Sequence, residues 1–181
     1  SHGVTDLLRL LNTNFDSPMV YWALGMLFKE LWQLESASVW FEQILKLPHV
    51  SDAMKAKAYI ELSDCYIWRG SNLRKAIEFT KIAMELGDKN TPDAIRVLAH
   101  AYLRDGQVRQ AMIYLDQFDT HDDPETRYLK GLLHYRNGAT KKANEVWKPL
   151  LTLRTESMRF YSIKQEILRY YFDKEPYLKA N

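Results

Sequence analysis

The sequence predicts an all-α fold made of antiparallel helical hairpins stacked side by side. Three observations carry this. First, the 181 residues include only seven glycines and six prolines, well under the average usage of about 12%; a turn-rich all-β chain needs more. Second, Ser17-Pro18, Thr91-Pro92 and Asp123-Pro124 each place a capping residue before a proline. Proline suits the first helical position because no donor is needed there, and the residue before it can accept a backbone N–H. Third, seven residues after each proline stands a small residue (Gly25, Ala99, Gly131), twelve further on an alanine (Ala37, Ala111, Ala143), and four beyond that a bulky residue (Phe41, Leu115, Trp147). A fourth copy lies between the first two, with Tyr59, Leu62, Ser63, Tyr66, Ala76 and Ala83, and with Ser51 or Asp52 as its cap. Small residues let two helices approach, and bulky residues three or four apart fill the space between hairpins.

Taken in order, residues 4–12 place Leu7, Leu8, Leu10 and Leu11 in a short helix, either one that covers the first hairpin or the second helix of a repeat cut in half. Eight helices follow at about 18–31, 35–47, 52–69, 73–86, 92–104, 108–118, 124–136 and 140–151. Gly70, Gly106 and Gly138 fall near the ends of first helices, where a left-handed residue is wanted. Residues 155–172 space Phe160, Ile163, Ile167 and Tyr170 along one face, with Arg159, Lys164, Gln165, Glu166 and Arg169 over much of the rest. That suits a helix shielding the last hairpin from water. The expected division is residues 1–3 as a tag remnant, 4–16 as an N-terminal helix, 17–153 as four hairpins, 154–172 as a capping helix and 173–181 as a tail. Ser1-His2-Gly3 without a methionine points to a fragment of a longer protein.

These residues resemble the tetratricopeptide repeat family over 18–151. Its pattern of bulky, Leu, small, aromatic, Ala and bulky residues is met by Tyr21, Leu24, Gly25, Phe28, Ala37 and Phe41 in the first copy. Tyr59, Leu62, Ser63, Tyr66, Ala76 and Thr80 meet it in the second, and Ile95, Leu98, Ala99, Tyr102, Ala111 and Leu115 in the third. The fourth keeps Gly131, Ala143 and Trp147, but Arg127 and Lys130 stand where apolar residues belong. The small residues are 38, 36 and 32 apart, against a family period of about 34. The resemblance implies a right-handed, somewhat irregular superhelix, an α-solenoid.

Composition narrows the function. At 46% hydrophobic and 27% charged the chain folds rather than staying disordered. The longest apolar run, 19–28, is ten residues, half of the roughly 20 a bilayer span needs. A lone Cys65 excludes an intrachain disulfide and fits an intracellular, cytoplasmic or nuclear protein. No phosphate loop, dinucleotide fingerprint, zinc-protease or nucleophile-elbow motif occurs. Cys65 reads as a small buried hydrophobe rather than a nucleophile, and His121-Asp122-Asp123 as a polar turn in which Asp123 caps the next helix rather than a metal site. No catalysis, cofactor or metal is expected.

Binding is the stronger expectation. In the resembled family the first helix of each pair lines a concave groove that holds peptides. The corresponding positions here are Met19, Trp22, Met26, Lys29 and Glu30, then Ile60, Glu61, Asp64, Ile67 and Trp68. Arg96, Val97, His100, Leu103 and Arg104 follow, then Tyr128, Leu129, Leu132, Tyr135 and Arg136. Trp, Tyr, Met and Arg recur at interface centres; the alternative is that some of these aromatics pack on the next helix or beneath the C-terminal one. Family members that clamp a chaperone tail's carboxylate use Lys, Asn and Arg where this chain has Trp22, Met26, Asp64, Arg96 and His100. Only Arg96 fits, so no carboxylate clamp is expected. The expected role is a scaffold or adaptor capturing a segment of another protein, with apolar anchors and acidic flanks. Two rivals stand beside it. The twelve basic against five acidic residues of 127–179 could serve nucleic acid or an acidic partner, through Arg127, Lys130, Arg136, Lys141, Lys142, Lys148, Arg154 and Arg159. The leucine-rich helix at 4–12, or the C-terminal helix, could serve self-association.

Overall fold

In the computed structural model, residues 2–11, 17–87, 91–118 and 121–173 are described. Every regular element among them is helical. The helices are α1 (His2–Leu11), α2 (Pro18–Glu30), α3 (Leu34–Lys46), α4 (Asp52–Arg69), α5 (Leu73–Leu86), α6 (Pro92–Arg104), α7 (Val108–Leu115), α8 (Pro124–Arg136), α9 (Thr140–Thr152) and α10 (Met158–Asp173). A 3-10 turn, Asp116–Phe118, extends α7. The first helix begins at His2, inside the stretch read as a tag remnant, and packs on α2. Positions 12–16 and 174–181, assigned to the N-terminal helix segment and the tail, lie outside the described residues.

Neighbouring helices pair as α2–α3, α4–α5, α6–α7 and α8–α9, and the pairs lean on one another through α3–α4, α5–α6 and α7–α8. The first helices of successive pairs also touch: α2 with α4, α4 with α6, α6 with α8. Local chemistry explains where the helices start and stop. Pro18, Pro92 and Pro124 each open one. Asp123 accepts from Thr126 N at 3.0 Å, and Ser51 from Met54 N at 3.2 Å; Ser17 makes no such bond, so at α2 the proline acts alone.

The turn inside each pair repeats in its hydrogen bonds. Gly70 N donates to Ile67 O and Ser71 N to Tyr66 O; Gly106 and Gln107 bond Leu103 and Tyr102; Gly138 and Ala139 bond Tyr135 and His134. The three glycines have φ of 68°, 82° and 79°, the left-handed region where a Cβ is penalised. The first turn makes the same two bonds, from Trp32 N to Lys29 O and Gln33 N to Phe28 O, with Trp32 itself at φ 58°. A tryptophan therefore stands where the other three turns have glycine, at a backbone cost of roughly 1–2 kcal/mol.

The core lies between paired helices and between pairs. Ala37, Ala76, Ala111 and Ala143 are buried, as are Phe41, Thr80, Leu115 and Trp147. Gly25 shows why a small residue is needed: a Cβ there would stand 2.5 Å from Phe41 Cε1. The last helix, α10, packs on α9, as a helix shielding the final hairpin should, through Tyr170 stacked on Trp147 and Tyr171 OH donating to Asn144 O. It also reaches much further, as its polar residues show.

Candidate functional site

The first helices α2, α4, α6 and α8 neighbour one another in a row, and α10 reaches across them. Lys29 (α2) reaches Asp64 (α4), Nζ to Oδ2 2.6 Å, and also pairs with Glu61. Arg159, at the start of α10, makes a fork onto the same Asp64, with Nη1 to Oδ2 at 2.5 Å and Nη2 to Oδ1 at 3.1 Å. Its Nη2 also pairs with Glu125 of α8. One buried carboxylate thus ties three helices together, and Arg159 adds a fourth.

Burial opposes the charge on Asp64, but Arg159 and Lys29 outweigh it and hold the carboxyl well below its ordinary pKa. The same balance holds for Lys29: desolvation works against the ammonium, Asp64 and Glu61 overcome it, and its pKa is raised. Asp64 expected in an open groove is instead 2% exposed.

A second polar knot lies about two turns further along α10. Glu166 of α10 is 6% exposed. It receives Arg104 Nη2 at 2.6 Å, Tyr170 OH at 3.2 Å and the hydroxyl of Tyr128. Arg159 and Glu166 lie outside the apolar stripe that the spacing of Phe160, Ile163, Ile167 and Tyr170 defines, yet both point inward, beside Ile163 and Ile167, which are buried. Arg104 Nε donates to His100 Nε2 at 3.2 Å. That bond assigns His100 as neutral, and burial, then the Arg104 charge, depress its pKa.

Between the two knots sits Trp68. Arg104 and Arg159 lie 5.4 and 5.5 Å from its ring centre. Tyr128 stacks on it at 5.9 Å, while His100 and Trp32 meet it edge-on at 5.1 and 5.5 Å. Its indole Nε1 is buried with no hydrogen bond, so ring contacts alone hold it.

The groove residues named from the sequence therefore divide. Ile67, His100, Leu103, Tyr128, Leu129 and Leu132 are buried. Tyr135 is half-buried against Tyr170 at 4.5 Å, and Trp22 packs edge-on against Phe41. Arg136 is exposed, and so are Met19 and Glu30. Met26, Lys29, Ile60, Glu61, Asp64, Arg96 and Val97 come together around an open cleft of about 540 Å³. Glu30, Asp93, Glu125, Ser157 and Arg159 also line it, together with Trp32, Met158 and Glu156. The last three were missed because they lie in connections or in α10, away from the first helices. The signal for Trp32 was a residue other than glycine seven positions after Gly25.

The other candidates have local explanations. Asp123 caps α8, Asp122 accepts from Arg127 Nε at 2.9 Å, and the ring of His121 meets Phe118. Among the described residues no three His, Cys, Asp or Glu side chains are grouped to hold a metal ion, and no helix is long and apolar enough to cross a membrane. Of the basic residues in the C-terminal third, Arg127 and Arg159 are engaged by carboxylates and Lys130 donates to His121 O. Arg136, Lys141, Lys142, Lys148 and Arg154 are exposed.

Cys65 is fully buried, and burial pushes its thiol up to about 12. A thiol with so little thiolate is a poor nucleophile. A disulfide-exchange reagent at pH 8 should therefore leave the native chain unlabelled and react once per chain in denaturant. Rapid native labelling would show that this helix opens.

The chain matches no known protein family, and no curated protein matches it.

Proposed function

We propose that this chain is a non-catalytic interaction module, a short tetratricopeptide-like stack of hairpins that captures a segment of another protein on its inner face. The observation that carries the reading is the cleft bounded by α2, α4, α6 and the start of α10. Its lining combines apolar side chains (Met26, Trp32, Ile60, Val97, Met158) with charged ones, and it is open to solvent. A wall of that kind with a few fixed polar groups is what an anchored peptide requires. The repeated turn geometry and the buried Ala and aromatic positions support the repeat reading.

The site is narrower than a groove along all four first helices, because α10 lies over Tyr128 and Tyr135. The expected acidic flanks of the partner also need revision. Lys29, Arg96 and Arg159 are each already paired with carboxylates of the chain, which leaves them little attraction for a further anion.

Affinity capture with the intact chain and with Met158→Lys as baits tests the reading. Met158 is 45% exposed at the cleft, so the substitution should leave the fold intact by circular dichroism. The expected result is a partner that is lost from the variant and whose cross-links map to α2, α4 and α6. Partners retained equally by both baits would place the binding surface elsewhere.

A further inference from the structure

The cleft has a charge preference that its apolar walls alone do not reveal. Six carboxylates line it against three cations. Lys29 is spent on Glu61 and Asp64, Arg159 on Asp64 and Glu125, and Arg96 on Asp93 and Asp123. Two carboxylates, Glu30 at the end of α2 and Glu156 just before α10, are exposed and stand outside these pairs. The cleft is therefore a partly apolar recess with a net negative lining and no cation left over.

We infer that the segment it takes presents a lysine or arginine beside an apolar side chain. This rests on the cleft being a protein-binding site. The long stem of a lysine or arginine can lie along Met26 and Met158 while its head reaches the rim carboxylates. Trp32 adds a ring face for a cation. Its place at a left-handed turn position, φ 58°, sets an aromatic at the cleft where the sister turns carry glycine. An acidic segment, or the phosphates of a nucleic acid, would meet the excess carboxylates and be repelled.

A library of random twelve-residue peptides displayed on phage can be selected on the full chain. Enriched peptides are then measured on Trp32→Gly, which removes the ring and suits the turn, and on the double variant Glu30→Lys/Glu156→Lys, which reverses two exposed charges. The expected outcome is enrichment of peptides carrying Lys or Arg next to an apolar residue, with affinity lowered about tenfold or more in both variants. Peptides that depend on Trp32 but are neutral or acidic, and are indifferent to the charge reversal, would overturn the cationic occupant while leaving the cleft as a binding site. Peptides indifferent to both variants, or no enrichment at all, would remove the cleft as a site and this inference with it, whereas cationic peptides weakened by the charge reversal alone would keep the cationic occupant and overturn only the part given to Trp32.

Discussion

Asp64→Ala should lower stability by about 3 kcal/mol, the scale for breaking a buried ion pair from one side. The side chain is 2% exposed and holds Lys29 and Arg159 at once. Removing it leaves two desolvated cations facing one another. Each keeps one other carboxylate, Glu61 or Glu125, which limits the loss to the lower end of the range. Urea denaturation followed by circular dichroism gives the difference directly. The double variant Asp64→Leu/Arg159→Met should recover part of it, since it removes one of the two stranded cations while Lys29 keeps Glu61. A double variant as unstable as the single would show that geometry, not stranded charge, sets the cost.

The same residue sets a pH dependence. Its folded pKa lies below the unfolded value. Its contribution is therefore complete above the unfolded pKa and is lost as pH falls below about 4, because the unfolded chain then takes up the proton first. Between about pH 4 and pH 2 the wild-type chain should lose stability faster than Asp64→Ala, whose curve lacks this step. Parallel curves would mean that Asp64 is not the group that couples folding to acid.

How much of this could be read from residues alone depends on range. The hairpin helices occur within a few residues of where Pro18, Pro92, Pro124 and the glycines Gly70, Gly106 and Gly138 place them, because caps and left-handed turns are local events. The buried Ala and bulky positions were legible for the same reason: a spacing on one helix fixes a face. The path of α10 was not legible. Arg159 meets Asp64 across 95 residues and Glu166 meets Arg104 across 62, and no local pattern specifies which surface a final helix covers. The available hint was chemical. Lys29, Asp64 and Arg104 are charged residues at first-helix positions otherwise rich in apolar groups, and α10 carries Arg159 and Glu166 seven residues apart, within reach of its apolar face. Buried charges need partners. A helix with opposite charges two turns apart beside its apolar face is a natural partner for a row of helices that carries both signs. Apolar spacing alone identified the face of α10 but not the partners of its charges.

The path of α10 changes which substitutions report on binding. Trp68→Ala removes a ring wedged between Arg104, Arg159 and Tyr128, and Tyr135→Ala removes the contact with Tyr170. Both would loosen α10 before they tested a partner. Changes at the exposed rim, such as Glu30, Glu156 and Met158, leave this packing alone.

Gly131→Ala should destabilise the fold by about 3 kcal/mol, although alanine is the better helix former. Relief of glycine's helix penalty favours the variant by about 1 kcal/mol. Against it stands Trp147. A Cβ at position 131 would overlap Nε1, Cδ1 and Cε2 of that indole, which is fully buried and donates from Nε1 to Tyr128 O at 3.0 Å. The ring has little room to withdraw, since it is fully buried, with Tyr170 stacked on it at 5.6 Å and Tyr135 6.0 Å away. Overpacking costs about 1–3 kcal/mol, and an indole N–H stranded without its acceptor costs a further 1–3 kcal/mol, so the steric side wins. The loss should be concentrated in the last hairpin and α10, where hydrogen exchange would rise most. A compensating Trp147→Leu should restore part of the stability in the Gly131→Ala background while lowering it on its own, a non-additivity of at least about 1 kcal/mol for residues in direct contact. Additive losses would mean that the helices of this pair separate freely, and that the small residue at Gly131 is not what sets their approach.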